Sequence, residues 1–295
     1  MLQERLKFGT IVIATDLGKT ASSALRYGQE IARLHGSVLV LMHVIDPVAF
    51  AFPKGAPQTI SAHIAAREEL KKIEEEVRKE GIQVHSVIES GIICDRILQA
   101  VQDHNADLLI LGTRSKTEVG QVALGTVARQ LLARTPCPIL TVSPNADEHK
   151  LWDGRWRRVM VATDFSAASL TALGCAHRIA HEHLLVLHVP AEGISTTSRF
   201  LERLRFLAPF NESHTVPVEH FVVSGEPGEI IAQYAREHRA DLLVLGAPQD
   251  ELTPEHFYGS TVLDVISKAP CPVLCVPASG HVAALDVPEE IAYQC

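Results

Sequence analysis

Apolar positions fall along this chain in two regimes. Short unbroken apolar runs, TIVIATD from Thr10, SVLVLMHVIDP from Ser37, DLLILG from Asp107 and PCPILTV from Pro136, are bounded by glycine, proline or charge. Runs too short for a helix and without alternation predict strands buried on both faces of a parallel sheet. Between them the apolar residues recur at helical spacing: Ala24, Leu25 and Ala32 within Thr20 to His35, and Ile64, Leu70, Ile73 and Val77 within a charged stretch from Ser61 to Glu80. A third strand is expected over Ile82 to Ile88, leading through Ser90-Gly91 into a helix that ends near His104. Strand and helix alternate throughout, which predicts an α/β fold.

The whole pattern occurs twice. RVMVATD at Arg158 to Asp164 repeats TIVIATD 148 residues later, and the helix after it, Ala168 to His183, carries Ala172, Leu173 and Ala180 in matching places. Farther on, Gly112 pairs with Gly246, Gly125 with Gly259 and Pro136 with Pro270, each 134 residues apart. A third strand at Val216 to Val223 and a helix ending near His238 complete the second copy. The offset drops between His43 and Gly91, so the first copy is longer there. Phe50 to Gln58, with Pro53, Gly55 and Pro57, reads as a mobile loop that accounts for part of the excess. The repeat divides the chain into residues 1–144, a linker 145–156 docked by Trp152 and Trp156, residues 157–277, and a tail 278–295 without a partner.

Composition narrows the function. No apolar run reaches the roughly 20 residues of a membrane span, and MLQERLKFGT lacks the apolar core of a signal peptide. A cytoplasmic protein without a membrane role is expected. The net charge of −8 disfavours a nucleic-acid partner, which needs a basic footprint. The charge is divided unevenly, −1 over residues 1–148 and −7 over the rest, so an anionic ligand is repelled less by the first copy. Cys137 and Cys271 open matching buried strands and read as small core residues. Glu74 to Glu76 reads as a solvated face, and His43 and His188, inside apolar runs, as satisfied core histidines. His177 and His181 stand four apart on a predicted helix, but Gln29 and Arg33 in the first copy point to an exposed face there and not to a metal site.

The candidate chemistry lies in the stretch from Asp107 to Val142. A buried strand ends at Gly112, a polar loop follows, and Gly125-Thr126 opens an amphipathic helix. The first turn of such a helix offers unpaired N–H groups, and glycine lets a phosphate come close to the backbone. With Gly112, Ser115, Gly125 and Thr126 so spaced, the chain resembles the universal stress protein family, whose nucleotide-binding branch carries Gly-x2-Gly-x9-Gly-(Ser/Thr) here; Ser115 replaces the second glycine. In the second copy that position is Gln249, and Pro248, Pro254, His256, Phe257 and Tyr258 crowd the loop.

The resemblance implies two doubly wound, Rossmann-like parallel five-stranded sheets with strand order 3-2-1-4-5. It implies ATP as ligand, with or without Mg2+, with Thr15 and Asp16 near the adenosine, Val44 offering backbone to the adenine, and Gly112, Ser115, Gly125, Thr126 and Val127 around the phosphates. The implied role is a stress-response sensor or adaptor with a protein partner the sequence does not name. A structural interaction module of the same fold without nucleotide is the alternative. Enzymatic chemistry is expected to reach weak ATP hydrolysis at most, because no Lys-Ser/Thr pair or placed base accompanies the glycines. Pro138 to Val142 and Pro272 to Val276 are expected to be edge strands that pair with each other, making the chain an internal pseudo-dimer and leaving a further homodimer open.

Overall fold

A computed structural model describes residues 5–18, 21–46, 55–113, 125–143, 146, 152–191, 197–209, 216–247 and 260–278. The first half runs β1 (Thr10–Ala14), α1 (Ala21–His35), β2 (Val38–Ile45), α2 (Gly55–Lys79), β3 (Val84–Ser90), α3 (Ile93–Asp103), β4 (Leu108–Gly112), α4 (Thr126–Arg134) and β5 (Ile139–Val142). The second runs β6 (Arg158–Ala162), α5 (Ala167–Ile179), β7 (His183–His188), α6 (Thr197–Leu207), β8 (Val218–Val222), α7 (Pro227–Glu237), β9 (Leu242–Ala247), α8 (Ser260–Lys268) and β10 (Val273–Pro277).

All ten strands form one sheet in the order β3-β2-β1-β4-β5-β10-β9-β6-β7-β8. Each half is parallel with the expected order 3-2-1-4-5. The halves meet where β5 and β10 pair antiparallel, with Leu140 opposite Leu274 and a bond from the Thr141 hydroxyl to the Val273 carbonyl at 3.2 Å. Pairing removes two edges that would otherwise template aggregation. Strand residues alternate between two apolar layers. Ile11, Ile13, Leu140, Val159 and Leu274 face α1, α2, α5 and α6, whereas Val12, Met42, Leu109, Met160 and Val273 face α3, α4, α7 and α8. Both layers run unbroken across the seam.

The start of each half is pinned by one acid. Asp107 accepts from the N–H groups of Gly9 and Thr10 at 2.7 and 2.9 Å, and Asp241 does the same for Arg157 and Arg158 at 2.7 and 3.1 Å. The linker is docked, as its tryptophans suggest. Trp156 is buried, and the rings of Trp152 and Trp156 lie 4.8 and 5.7 Å from Tyr27 of α1.

Several local expectations are corrected. Helix α2 begins at Gly55, six residues before the predicted start, because Pro57 falls in its first turn, where a missing N–H costs nothing. Ile64 is 56% exposed instead of inward; burial begins at Ala66 and continues through Leu70 and Val77. Glu74 is more than a solvated acid: it accepts from the Ser86 hydroxyl at 2.6 Å and pairs with Arg78, which together hold its carboxyl below the usual range. Helix α5 stops at Ile179 and Ala180 turns extended, so His181 lies beyond the helix and shares no face with His177. Phe50 to Lys54 and the tail from 279 lie outside the described residues.

Candidate functional site

The carboxyl ends of β1 and β4 part where the chain winds in opposite directions, the usual place for a ligand in an open α/β sheet. A cavity of about 220 Å³ lies there. Of the eight residues singled out from sequence, Thr15, Asp16, Val44, Gly112, Gly125, Thr126 and Val127 all line it. Ser115 lies outside the described residues. The remaining wall is apolar: Met42, Ile93, Ile97 and Leu111, with His43 beside Val44. Sequence reasoning passed over these because their residue types are those of an ordinary core. Only their position near the ends of β2 and β4 and in the first half of α3 distinguishes them.

The turn after β1 sets the geometry of its floor. Leu17 N–H is taken by Thr15 Oγ1 at 3.0 Å and Gly18 N–H by Asp16 Oδ1 at 2.9 Å. Leu17 itself holds φ 61°, a left-handed conformation unusual for a bulky residue. The second half repeats each feature: Phe165 N–H to Thr163 Oγ1 at 3.0 Å, Ser166 N–H to Asp164 Oδ1 at 3.0 Å, and Phe165 at φ 66°. Strain of this kind persists where surroundings over-determine it, and here it directs an acid to the crevice in both halves. His43 Nδ1 lies 2.9 Å from the Thr15 carbonyl and His188 Nδ1 2.8 Å from the Thr163 carbonyl, so each ring donates there and braces the turn. His188 is only half satisfied, since its buried Nε2 has no partner among the described residues.

The same turn exposes an acceptor. Thr15 N–H bonds to the Met42 carbonyl at 2.9 Å, so alternate residues of β2 direct their backbone to β1, and Val44 is the next of them. Leu17 N–H, the donor that would continue the ladder, is already bound to Thr15 Oγ1. Among the described residues no backbone donor outside the strand ladders bonds the Val44 carbonyl, and Val44 lines the crevice.

Helix α4 supplies donors. Its N-cap, Gly125, offers no side chain to its first turn, and that turn holds no acid. Among the described residues the N–H groups of Thr126, Val127 and Ala128 have no acceptor within the helix, and they lie at the cavity wall under the positive end of the helix dipole. Gly125 has φ −65° and ψ 156°, which any residue adopts, so glycine contributes room here and not conformational freedom.

The second half forms a comparable crevice of about 330 Å³, reached by Thr163, Asp164, Val189, Gly246 and Thr261. The hydroxyls of Thr163, Ser166 and Ser169 are occupied with one another. Ser169 Oγ lies 2.9 Å from Thr163 Oγ1 and donates to the Ser166 carbonyl at 3.0 Å, while Ser166 Oγ accepts from Ser169 N–H at 3.3 Å. Burial raises the Asp164 carboxyl, but hydrogen bonds from Ser166 and Ser169 prevail and hold it below the usual carboxylate range. The first half has Gly18 and Ala21 where these serines stand. Gln249, Pro248, Pro254, His256, Phe257 and Tyr258 lie outside the described residues.

The cysteines with raised thiols are core residues. Burial pushes Cys137, Cys175 and Cys275 up to about 12 and Cys271 higher still, far from thiolate chemistry at neutral pH. No helix among the described residues is long and apolar enough to cross a membrane.

Comparison with known proteins agrees with this architecture. The sequence model of the universal stress protein family matches residues 7–143 and again 155–277. A universal stress protein of Methanocaldococcus jannaschii is 28% identical over 136 residues, covering 45% of this chain and 80% of its own length. One from Thermus aquaticus is 29% identical over 143 residues, covering 46% and 98%. Among solved structures, a universal stress protein from Archaeoglobus fulgidus superposes with a TM-score of 0.72 at 21% identity, covering 91% of this chain and 98% of its own. With the family matched in both halves and its fold repeated across one sheet, this chain belongs to the universal stress protein family as a tandem two-domain member.

Proposed function

We propose that the protein binds one adenine nucleotide, ATP, in the crevice of its first half and serves in the cytoplasm as a stress-response sensor or adaptor. The observation that carries this reading is the convergence of Thr15, Asp16, Val44, Gly112 and the uncapped start of α4 on one cavity. At about 220 Å³ that cavity is smaller than pockets that enclose a whole drug-sized ligand. We therefore seat the nucleoside in it and run the phosphates over Gly125. The adenine lies between Met42, Ile93 and Ile97, with its amino group toward the Val44 carbonyl. Asp16 keeps one oxygen on Gly18 and offers the other to a ribose hydroxyl. The N–H groups of Val127 and Ala128 meet phosphate oxygens, an arrangement favoured at helix N-termini. Ser115 adds a hydroxyl donor in the same loop.

We assign one nucleotide per chain and not two because the second crevice has spent the hydroxyls of Thr163, Ser166 and Ser169 internally and lies in the half that carries the charge of −7. Native mass spectrometry of the freshly purified protein tests the reading. A mass increment of one adenine nucleotide per chain, lost on unfolding, is expected. Chains that carry none and remain unshifted with millimolar ATP would support the interaction module without nucleotide.

A further inference from the structure

A third cavity, of about 540 Å³, is built from the segments that precede β1 and β6 together with the C-terminal ends of α1 and α5, whereas both crevices lie past the carboxyl ends of their strands. Arg5 and Lys7 reach it from the N-terminal segment, His35 from the end of α1, Arg155 from the linker, and Arg178 and His181 from the end of α5. No carboxylate lines it among the described residues, in a chain whose net charge is −8. Basic residues at helix C-termini commonly balance the helix dipole, and that accounts for His35 and Arg178. It does not account for Arg5, Lys7 and Arg155, which come from outside any helix.

The walls are fixed to one another. Leu6 N–H bonds to the Arg178 carbonyl at 3.3 Å, Phe8 N–H to His35 Nδ1 at 3.1 Å, and His181 N–H to the Trp156 carbonyl at 2.9 Å. Gly154, at φ 82°, lies so close to α1 that an added Cβ would come within 2.7 Å of the Glu30 carbonyl. Phe8 and Trp156, both buried, form an apolar floor that strengthens the field of the cations above it.

We propose that this cleft is a binding site for a small polyvalent phosphate anion, held jointly by the N-terminal segment, the linker and the ends of α1 and α5. The cations already feel one another across the empty space. Burial lowers the His35 imidazole, helped by the charges of His181 and Lys7, and burial lowers His181, helped by Arg5 and Arg155. A phosphate group among them reverses that repulsion, and the size of the cleft falls within the range of small-ligand sites.

The test is calorimetric titration of the full chain with inorganic tripolyphosphate at about 50 mM salt, where screening is modest. Arg5, Lys7 and Arg155 are exposed, so the triple variant Arg5→Ser, Lys7→Ser, Arg155→Ser is expected to keep its fold, which a thermal melt verifies. In Gly125→Val, where the proposed α4 phosphate site is blocked, one tripolyphosphate per chain is expected, with binding weakened at least about tenfold when the triple variant is added to that background. Citrate, of similar charge, should bind more weakly. The proposal is overturned by equal binding in a folded triple variant, by loss of binding in Gly125→Val, by citrate binding as tightly, or by no binding at all.

Discussion

Gly125 and Gly246 answer different demands. At Gly125 the backbone is extended and ordinary, and on the proposed reading glycine there makes room for a phosphate. At Gly246 an added Cβ would lie 2.4 Å from the Ala168 carbonyl carbon, inside the first turn of α5, so glycine there is a packing requirement. His188 shows a third kind of constraint. It is buried between the rings of Phe165 and Phe200, 4.5 and 4.6 Å away, with Arg203 over the Phe165 ring and Asp164 nearby. Burial holds its pKa below the usual value, partly offset by the Thr163 carbonyl and the Asp164 charge and reinforced by Arg203. The unfolded chain therefore takes up a proton near pH 6.5 that the folded chain refuses, and stability falls as pH drops through 6.5 toward the lower folded value. Urea midpoints should decline between pH 7.5 and 5.5. His188→Asn, whose amide can still donate to Thr163, should flatten that decline, leaving the part due to His35, His85, His181 and His220, which burial also lowers. An unchanged slope in the variant would remove His188 from the account.

Among the elements, the β5–β10 seam decides whether the halves are one body. Leu140 and Leu274 face each other there, both buried. Halves produced separately, divided at residue 150, should associate on mixing. Leu274→Asp should weaken that association by about 3 kcal/mol or more, because it buries an unpaired charge. Soluble halves that ignore one another in size-exclusion chromatography would contradict the seam. This pairing was legible in sequence because PCPIL and PCPVL repeat at one offset and both are apolar throughout. The succession of strands and helices was legible from the repeat as well, whereas the strand order came from the family resemblance. Helix ends were less so. The start of α2 was hidden by Pro57 and Gly55, which read as a loop although a first turn tolerates them. The end of α5 was hidden because Ala180 and His181 continue the helical pattern, and only a tertiary bond, His181 N–H to the Trp156 carbonyl, draws the chain away. At the site, polar and glycine positions stood out, but the apolar wall of Met42, Ile93 and Leu111 did not. Those residues are core-like in type, and only the parting of β1 from β4 makes them a surface.

At the scale of the whole molecule, one fold is used twice and the two copies have diverged in chemistry more than in shape. Both strain the residue after the strand-terminal acid, both brace the turn with a histidine, and both open a crevice. They differ in what is left available. The first keeps an uncapped α4 and the small residues Gly18 and Ala21, whereas the second fills the same turn with Ser166 and Ser169 bonded to each other. Charge follows the same division, −1 against −7. A ligand at about a hundred times its dissociation constant would stabilise the first half by roughly 2.7 kcal/mol.

The central claim, one nucleotide in the first crevice, is tested most directly by isothermal calorimetry with ATP on the wild type, Gly125→Val and Gly259→Val. A stoichiometry of one is predicted, with affinity lowered at least about tenfold by Gly125→Val and unchanged by Gly259→Val. Two equivalent sites, or binding that survives Gly125→Val and disappears in Gly259→Val, would contradict it.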